Sequence, residues 1–384
     1  MRIKIPYLAT VIISLLLLYI GHLIAVQGLF VFQNVSQEHV RATVQRVIER
    51  VQMGDDLEPF DEYDDYFVSM LGERIIFEAE VRRGHRRGEI IIAEQNISGF
   101  MLNPHKEVTS GDSILLINFG DVWYFNGYAR TDRLIVLALL FTLCILLFGG
   151  KKGFNTILSL SLTCAVVFAV FIPSILTGKN IYVMAILVCV YTTIMTLLIV
   201  IGYNKKALAA TIGCISGIMI TGIIAVVMNN ILLLTGIVDE HSRHLANLPL
   251  ATPINLRAII FAGVIIGATG AIMDVAMSIS SALWEVKEKA GIIKFETLFR
   301  SGLNIGRDIL GSMANTLILA YIGSSLSLVL IISVYSNSLM ELLNTEMIAV
   351  EILQALAGIF GILFAMPLTS FFCATLFIKK EASS

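Results

Sequence analysis

Apolar residues fall into eight long runs along this chain, over residues 7–32, 133–150, 154–175, 180–202, 207–236, 256–282, 309–335 and 347–378. A helix needs about 20 apolar residues to cross a bilayer, and each run reaches or approaches that length. One polar stretch, residues 33–130, interrupts the series after the first run. The pattern predicts an α-helical polytopic membrane protein of about eight transmembrane helices, with a small β-rich extracytoplasmic domain after the first helix. Its expected parts are an N-terminal anchor over 1–32, the external domain over 33–130, a seven-helix membrane domain over 131–378 and a cytoplasmic tail over 379–384.

Inside the polar stretch the periodicity changes. Val40, Val44, Val47, Ile48 and Val51 recur at helical spacing, with Ser36 placed to cap a helix and Gly54 to end it. The acidic stretch Asp55, Asp56, Glu58, Asp61, Glu62, Asp64 and Asp65 has no recognised order of metal ligands and is expected to be a solvated linker. From Arg74 to Val81 and from Glu89 to Glu94 the chain reads as two strands joined across a basic tip containing Arg82, Arg83, Arg86 and Arg87. A Gly-Asp turn before Ser113 introduces a further strand, and Trp123 to Tyr128 another. A small antiparallel barrel or sandwich is the expected result.

Composition agrees with the pattern: 57% of residues are hydrophobic, 15% are charged and the mean hydropathy is +0.83. These values exclude an ordinary soluble domain. Lys and Arg set the orientation. Arg2 and Lys4, Lys151 and Lys152, Lys205 and Lys206, the stretch Lys287 to Arg307, and Lys379 and Lys380 all fall on one side if there are eight spans. By the positive-inside rule that side is the cytoplasm, with both termini in it. The first run, at about 25 apolar residues, is too long for a signal peptide and is expected to stay as an anchor. Cys144, Cys164, Cys189, Cys214 and Cys373 all lie in expected spans, so neither a disulfide framework nor a cysteine metal site is expected.

Candidate chemistry centres on Asp274. It lies within the apolar run from Gly263 to Ala282, which carries no cation. A charged Asp at the middle of a span costs about 2.5–3.5 kcal/mol on insertion scales, so such a residue usually faces a bundle interior or a wet path. Steps of three and four from Asp274 meet Gly270, Gly267 and Gly263 on one side and Ser278 and Ser281 on the other, a stripe expected to face neighbouring helices. His22, in the first run, is a candidate relay partner, with a neutral imidazole bonded to a neighbouring helix as the alternative. Asn315 and Thr316 are placed to hydrogen-bond the Asp274 carboxyl if their helices adjoin. Arg307 and Asp308 stand at the expected cytoplasmic entrance, either as a gating ion pair or as a helix cap. Residues 284–305 mix apolar and basic positions and read as an amphipathic connector on the inner boundary. Asp239, Glu240, His241 and His244 resemble a metal site only loosely, and a wet external loop is expected there.

The run Gly267-Ala-Thr-Gly-Ala-Ile-Met-Asp-Val-Ala-Met-Ser-Ile-Ser-Ser-Ala-Leu-Trp-Glu-Val, followed by Gly306-Arg-Asp-Ile-Leu-Gly-Ser-Met-Ala-Asn-Thr-Leu-Ile-Leu-Ala-Tyr-Ile-Gly-Ser-Ser, resembles the YibE/F family of bacterial membrane proteins. The resemblance covers roughly residues 130–378 and implies a multi-pass protein of the bacterial cell membrane. The paired letters of the family name suggest a second membrane protein of the same family as a partner. A fainter likeness in outline is to SecD/SecF and the wider resistance-nodulation-division transporters. It implies a membrane carboxylate that couples ion flow to movement, with Asp274 in the protonated position. This chain departs from that outline in having two more spans, a smaller external domain and no second carboxylate noted beside Asp274.

Two functions follow as expectations: an ion-coupled transporter or export-related permease using Asp274, or a non-transporting assembly or sensor protein whose external domain binds a partner. An enzyme is not expected, because no facing acid pair, nucleophile elbow or zinc motif is present. No cofactor, no metal and no nucleic-acid partner is expected; the lipid bilayer is.

Overall fold

A computed structural model describes residues 5–27, 38–52, 72–97, 106–120, 122–250, 252–335 and 338–378. The acidic stretch 55–65 and the tail 379–384 lie outside the described residues. The chain divides into two compact units, one of residues 31–144 and the other of residues 1–30 with 145–384.

The smaller unit is a closed barrel in the order β1-β2-β3-β5-β4, built from β1 (His39–Gln52), β2 (Glu73–Arg83), β3 (Ile90–Ile97), β4 (Ser113–Phe119) and β5 (Val122–Tyr128). All pairs are antiparallel except β3 with β5, which run parallel. This is a five-stranded Greek-key barrel of the OB type, and its closure leaves no free sheet edge. Alternate residues point inward. Val40, Ala42 and Val44, then Ile75, Phe77, Ala79 and Val81, then Ile91 and Ala93, with Ile114, Leu116 and Trp123, fill the interior. Gln95 is buried among them with both ends of its amide used: Nε2 donates to the Lys106 carbonyl at 3.0 Å, and Oε1 accepts from the Val108 N–H at 2.9 Å.

Where a helix is expected after Ser36, residues His39–Gln52 form a strand; Ser36 and Gly54 lie outside the described residues. Register shifts between Val44 and Arg46 and between Val47 and Glu49 mark bulges in β1. Each bulge adds a residue to one side of the ladder, which turns a spacing of two into spacings of three and four and imitates a helix. The β-branched residues of the run also favour a strand. The bulges let this one strand curl across both β2 and β4. Two arginines of the basic tip after β2 find partners nearby. Arg86 pairs with Glu38 at 3.1 Å and lies over the Trp123 ring, while Arg82 donates to Thr43. A paired hydrogen bond from Arg46 holds the Glu78 carboxyl below the usual carboxylate range.

The larger unit is helical. Its elements are α1 (Ile5–Val26), α2 (Thr131–Val166, which begins in the smaller unit), a π-helical turn (Val167–Phe171), α3 (Ile172–Leu176), α4 (Ile181–Val200), α5 (Lys205–Ile231), α6 (Glu240–Ala246), α7 (Leu256–Ala290), α8 (Phe295–Ser324), α9 (Leu326–Tyr335), α10 (Leu339–Asn344) and α11 (Glu346–Ile378). Among the described residues six helices are long and apolar enough to cross a membrane, and α8 with α9, bent by 65°, makes up to seven. One of the six is the 46-residue stretch Thr131–Leu176, and Gly150 breaks its helical backbone at φ 52°, ψ −126°.

The core of this unit forms around α7, with α5 and α11 packed on it and on each other. Small residues make the α5–α11 approach close. A Cβ on Gly217 would stand 2.9 Å from the Ala365 Cβ, the Gly361 carbonyl and the Ile272 side chain; Gly213 meets Thr369, and Gly361 meets Thr221. Without a hydrophobic gain from leaving lipid, such close van der Waals contact is what holds membrane helices together. Both ends of α11 are tied down. Glu346 accepts from the backbone N–H groups of Thr235 and Gly236, each at 2.7 Å, and from the Thr235 hydroxyl. At the other end Lys205 donates to the Leu376 carbonyl at 2.8 Å, and Lys287 donates to that of Phe377. These lysines satisfy carbonyls that the end of a helix leaves without partners.

The amphipathic connector consists of the end of one long helix and the start of the next. α7 continues through Ala290, residues 291–294 turn the chain, and α8 starts at Phe295. Arg307 and Asp308 are therefore more than three turns inside α8 and cap nothing.

Candidate functional site

Asp274 lies at the middle of α7, the most enclosed helix of the bundle, on its one open flank. Gly263, Gly267, Gly270, Asp274 and Ser278 are all exposed, whereas Val264, Ile265, Ala268, Ile272, Val275, Ala276 and Ile279 between them are buried. The expected stripe is real, but the chain covers it only in part. A Cβ on Gly263 would lie 3.6 Å from Gln354 Nε2, and one on Gly267 would lie 2.6 Å from the Tyr321 hydroxyl oxygen. At Gly270 nothing stands within 4 Å of that position. Of the three glycines expected to pack helices, only Gly267 permits a close approach, and what approaches is a polar atom. Tight helix contacts form elsewhere, at Gly213, Gly217, Gly302, Gly306 and Gly358.

Helix α8 runs antiparallel to α7, against its buried side at Leu283 and Ile279 and against the stripe at Gly267. Gly302 meets Leu283, Gly306 meets Ile279, and Tyr321 meets Gly267, so Asp274 is level with about Gly311 to Ala314. Asn315 and Thr316 thus stand within a turn of that level and are exposed. The expected hydrogen bond is not formed. Thr316 donates to the Ser312 carbonyl in its own helix at 2.8 Å. Among the described residues the Asp274 carboxylate makes no hydrogen bond and no ion pair, and neither do the side chains of Ser278, Asn315, Arg307 and Asp308.

His22 has a different partner. A π-helical turn disturbs the regular ladder, and the carbonyl of Ala169 inside it lies 2.7 Å from His22 Nδ1. A carbonyl only accepts, so this nitrogen carries the proton. With Ser14 and Tyr191 at 2.7 Å and Tyr7 donating to Asn155 at 2.9 Å, the contact docks α1 on its neighbours. The imidazole is bonded at that junction, on a helix that packs against the π turn, α3 and α4. In the loop before α7, Asp239 caps α6 by accepting from the Ser242 N–H at 2.7 Å; that bond holds its carboxyl below the usual range. Among the described residues no group of three or more His, Cys, Asp or Glu side chains is placed to hold a metal ion.

Three residues of this flank were passed over in the sequence: Tyr321, Glu351 and Gln354. The Tyr321 hydroxyl and one carboxylate oxygen of Glu351 are enclosed, and among the described residues each lacks a hydrogen-bond partner. The signal was legible. Glu351 interrupts the last apolar run, and Gln354 follows it three residues later on the same helical face. Tyr321 belongs to the second long motif quoted above. There is thus a second carboxylate within the apolar runs, on α11, one turn from the Gln354 that meets the stripe.

A family model described as YibE/F-like protein matches residues 137–379, which hold both long motifs and, among the described residues, all the helices after α1 except the first turns of α2. No curated protein matches. No solved structure matches either, and the likeness in outline to SecD/SecF transporters has no counterpart in these comparisons.

Proposed function

The chain belongs to the YibE/F-like family, and from that premise we propose an ion-coupled transporter or export-related permease of the bacterial cell membrane, in which Asp274 alternately takes up and releases a proton or Na⁺. The observation that carries the reading is one carboxylate at the middle of the central helix, free of hydrogen bonds and ion pairs among the described residues, beside open space at Gly270. A carboxyl locked in a structural hydrogen bond would be paired. One that exchanges a cation needs a free lone pair and a route. Counting Thr131–Leu176 as two spans because of the break at Gly150, and the bent pair as one, gives eight, and that count supports the reading in which both termini and the paired lysines face the cytoplasm. No catalytic chemistry and no cofactor belong to this reading.

A second reading rests on the exposure of the stripe and of α9, which buries no residue. A polar stripe facing lipid is unfavourable, so a partner of the same family would cover it in an assembly or sensor protein whose external barrel binds a partner. Deleting residues 33–130 would then remove function, while Asp274→Asn would cost mainly stability.

Difference infrared spectroscopy of the lipid-reconstituted protein separates the two, with Asp274→Asn assigning the carboxyl band. A band that titrates between about pH 5 and 9, or shifts with Na⁺, is the expected result. A band fixed as protonated throughout, or pH-dependent transport retained by Asp274→Asn, overturns the transporter reading.

A further inference from the structure

The enclosed polar atoms of α8 and α11 lie in line with the open part of the α7 stripe. Gln354 stands against Gly263, Tyr321 against Gly267, and Glu351 one turn before Gln354 on α11. The Glu351 charge is within electrostatic reach of the Tyr321 hydroxyl. Tyr321 can hold that place only because residue 267 has no side chain. Beyond it comes the space at Gly270, and then Asp274. From Gly267 to Asp274 is seven residues, about 10 Å along a helix axis, a gap of roughly three hydrogen-bonded water molecules.

Enclosed hydroxyl and carboxylate oxygens are nearly always satisfied by protein or by water. Here two of them lack protein partners among the described residues, the Glu351 charge reaches the Tyr321 hydroxyl, and open space at Gly270 lies next to Tyr321 on the stripe. From Gly263 to Met273, α7 contributes no titratable group to this stretch. Tyr321 comes from α8. On α11 the neighbouring acid, Glu346, is bonded to Thr235 and Gly236, and Arg257 stands in the first turn of α7. Glu351 is therefore the acid available at this end of the stripe.

We infer that Glu351, Gln354 and Tyr321 form the entry half of a proton path to Asp274, with water at Gly270 completing it. The inference rests on the transporter reading of Asp274 and deepens it. Tyr321 passes a proton by donating its own to the water at Gly270 and accepting another from the Glu351 side, so no net charge stays on the phenol. Gln354 orients the chain and does not ionise. Gly267 and Gly270 supply the room.

Full-length protein in vesicles filled with a pH-sensitive dye, driven by a potassium diffusion potential, tests the path. The variants are Tyr321→Phe, Glu351→Gln, Gly270→Leu and Asp274→Asn, each followed also by thermal melting and by the infrared band of Asp274. The expected result is that wild type shows proton flux abolished by Asp274→Asn. Tyr321→Phe, Glu351→Gln and Gly270→Leu should each lower it at least tenfold, while melting and the titration of the Asp274 band stay as in wild type. Gly270→Leu guards against misfolding, because its side chain enters open space in the folded chain. Wild-type flux in Tyr321→Phe and Glu351→Gln overturns the path, as does the absence of any Asp274-dependent flux, or a flux loss matched by loss of folded protein. A silent Asp274 band in wild type overturns the transporter reading itself; a titrating band with unaffected flux overturns the entry path alone.

Discussion

Two glycine-lined helix faces in the bundle have opposite fates. On α5, Gly213 and Gly217 are closed over by Thr369, Ala365 and Gly361 of α11, and no space remains. On α7, Gly263, Gly267 and Gly270 stay exposed, touched only by Gln354 and the Tyr321 hydroxyl. Both faces show the same spacing of small residues. The partner makes the difference: small residues opposite small residues bring two backbones together, whereas a long polar side chain opposite a glycine props the helices apart and leaves room for water. The closed face builds the scaffold, and the open one carries Asp274.

The sharpest way to break this comparison is to fill the closed face. Gly217→Leu drives its side chain into the Ala365 Cβ and the Gly361 carbonyl, and backbone cannot rotate away. A loss of about 3 kcal/mol is expected, at the upper end for overpacking, read as denaturant unfolding in micelles. Unfolding at the wild-type midpoint would mean the seam is not the scaffold. A smaller effect is expected where the same seam is pinned at its end. Glu346→Ala releases Thr235 and Gly236, and the exposure of that turn limits the loss to about 1 kcal/mol. Proteolysis near residue 235 should rise with it; an unchanged cleavage rate counts against the tie. The smallest effect belongs to the open face, where Gly270→Ala meets nothing and removes a helix-weakening glycine. Stability should stay level or rise by up to about 1 kcal/mol, while Gly267→Ala, beside Tyr321, should not show the gain. Equal responses at 267 and 270 would erase the distinction between them.

Legibility followed the solvent. In the barrel, β2 to β5 could be read from alternation because water rewards each polar residue that faces out, so inward positions such as Ile75, Phe77 and Ala79 announce themselves. β1 failed because its bulges broke the period, not because its residues were ambiguous about strand. In the bundle the runs were legible and the faces were not. Leu and Ile serve equally well against lipid or against another helix, so apolar residues did not mark the core. Polar exceptions were the better guide. Asp274 stands out from the sequence, and Glu351, an acid within the last apolar run, stands out by the same rule.

The sequence by itself determined the apolar runs, most of the barrel's strands, the family motifs and the isolation of Asp274 among apolar neighbours. These are local properties, set by which residues follow one another. Tertiary structure alone decided that His22 answers the carbonyl of a π turn, and that Tyr321 and Gln354 overlie the glycines of α7. Each of these depends on what a distant segment brings to the same place, and in a membrane the steric and hydrogen-bond fit between helices decides that, because hydrophobicity favours lipid and protein neighbours alike.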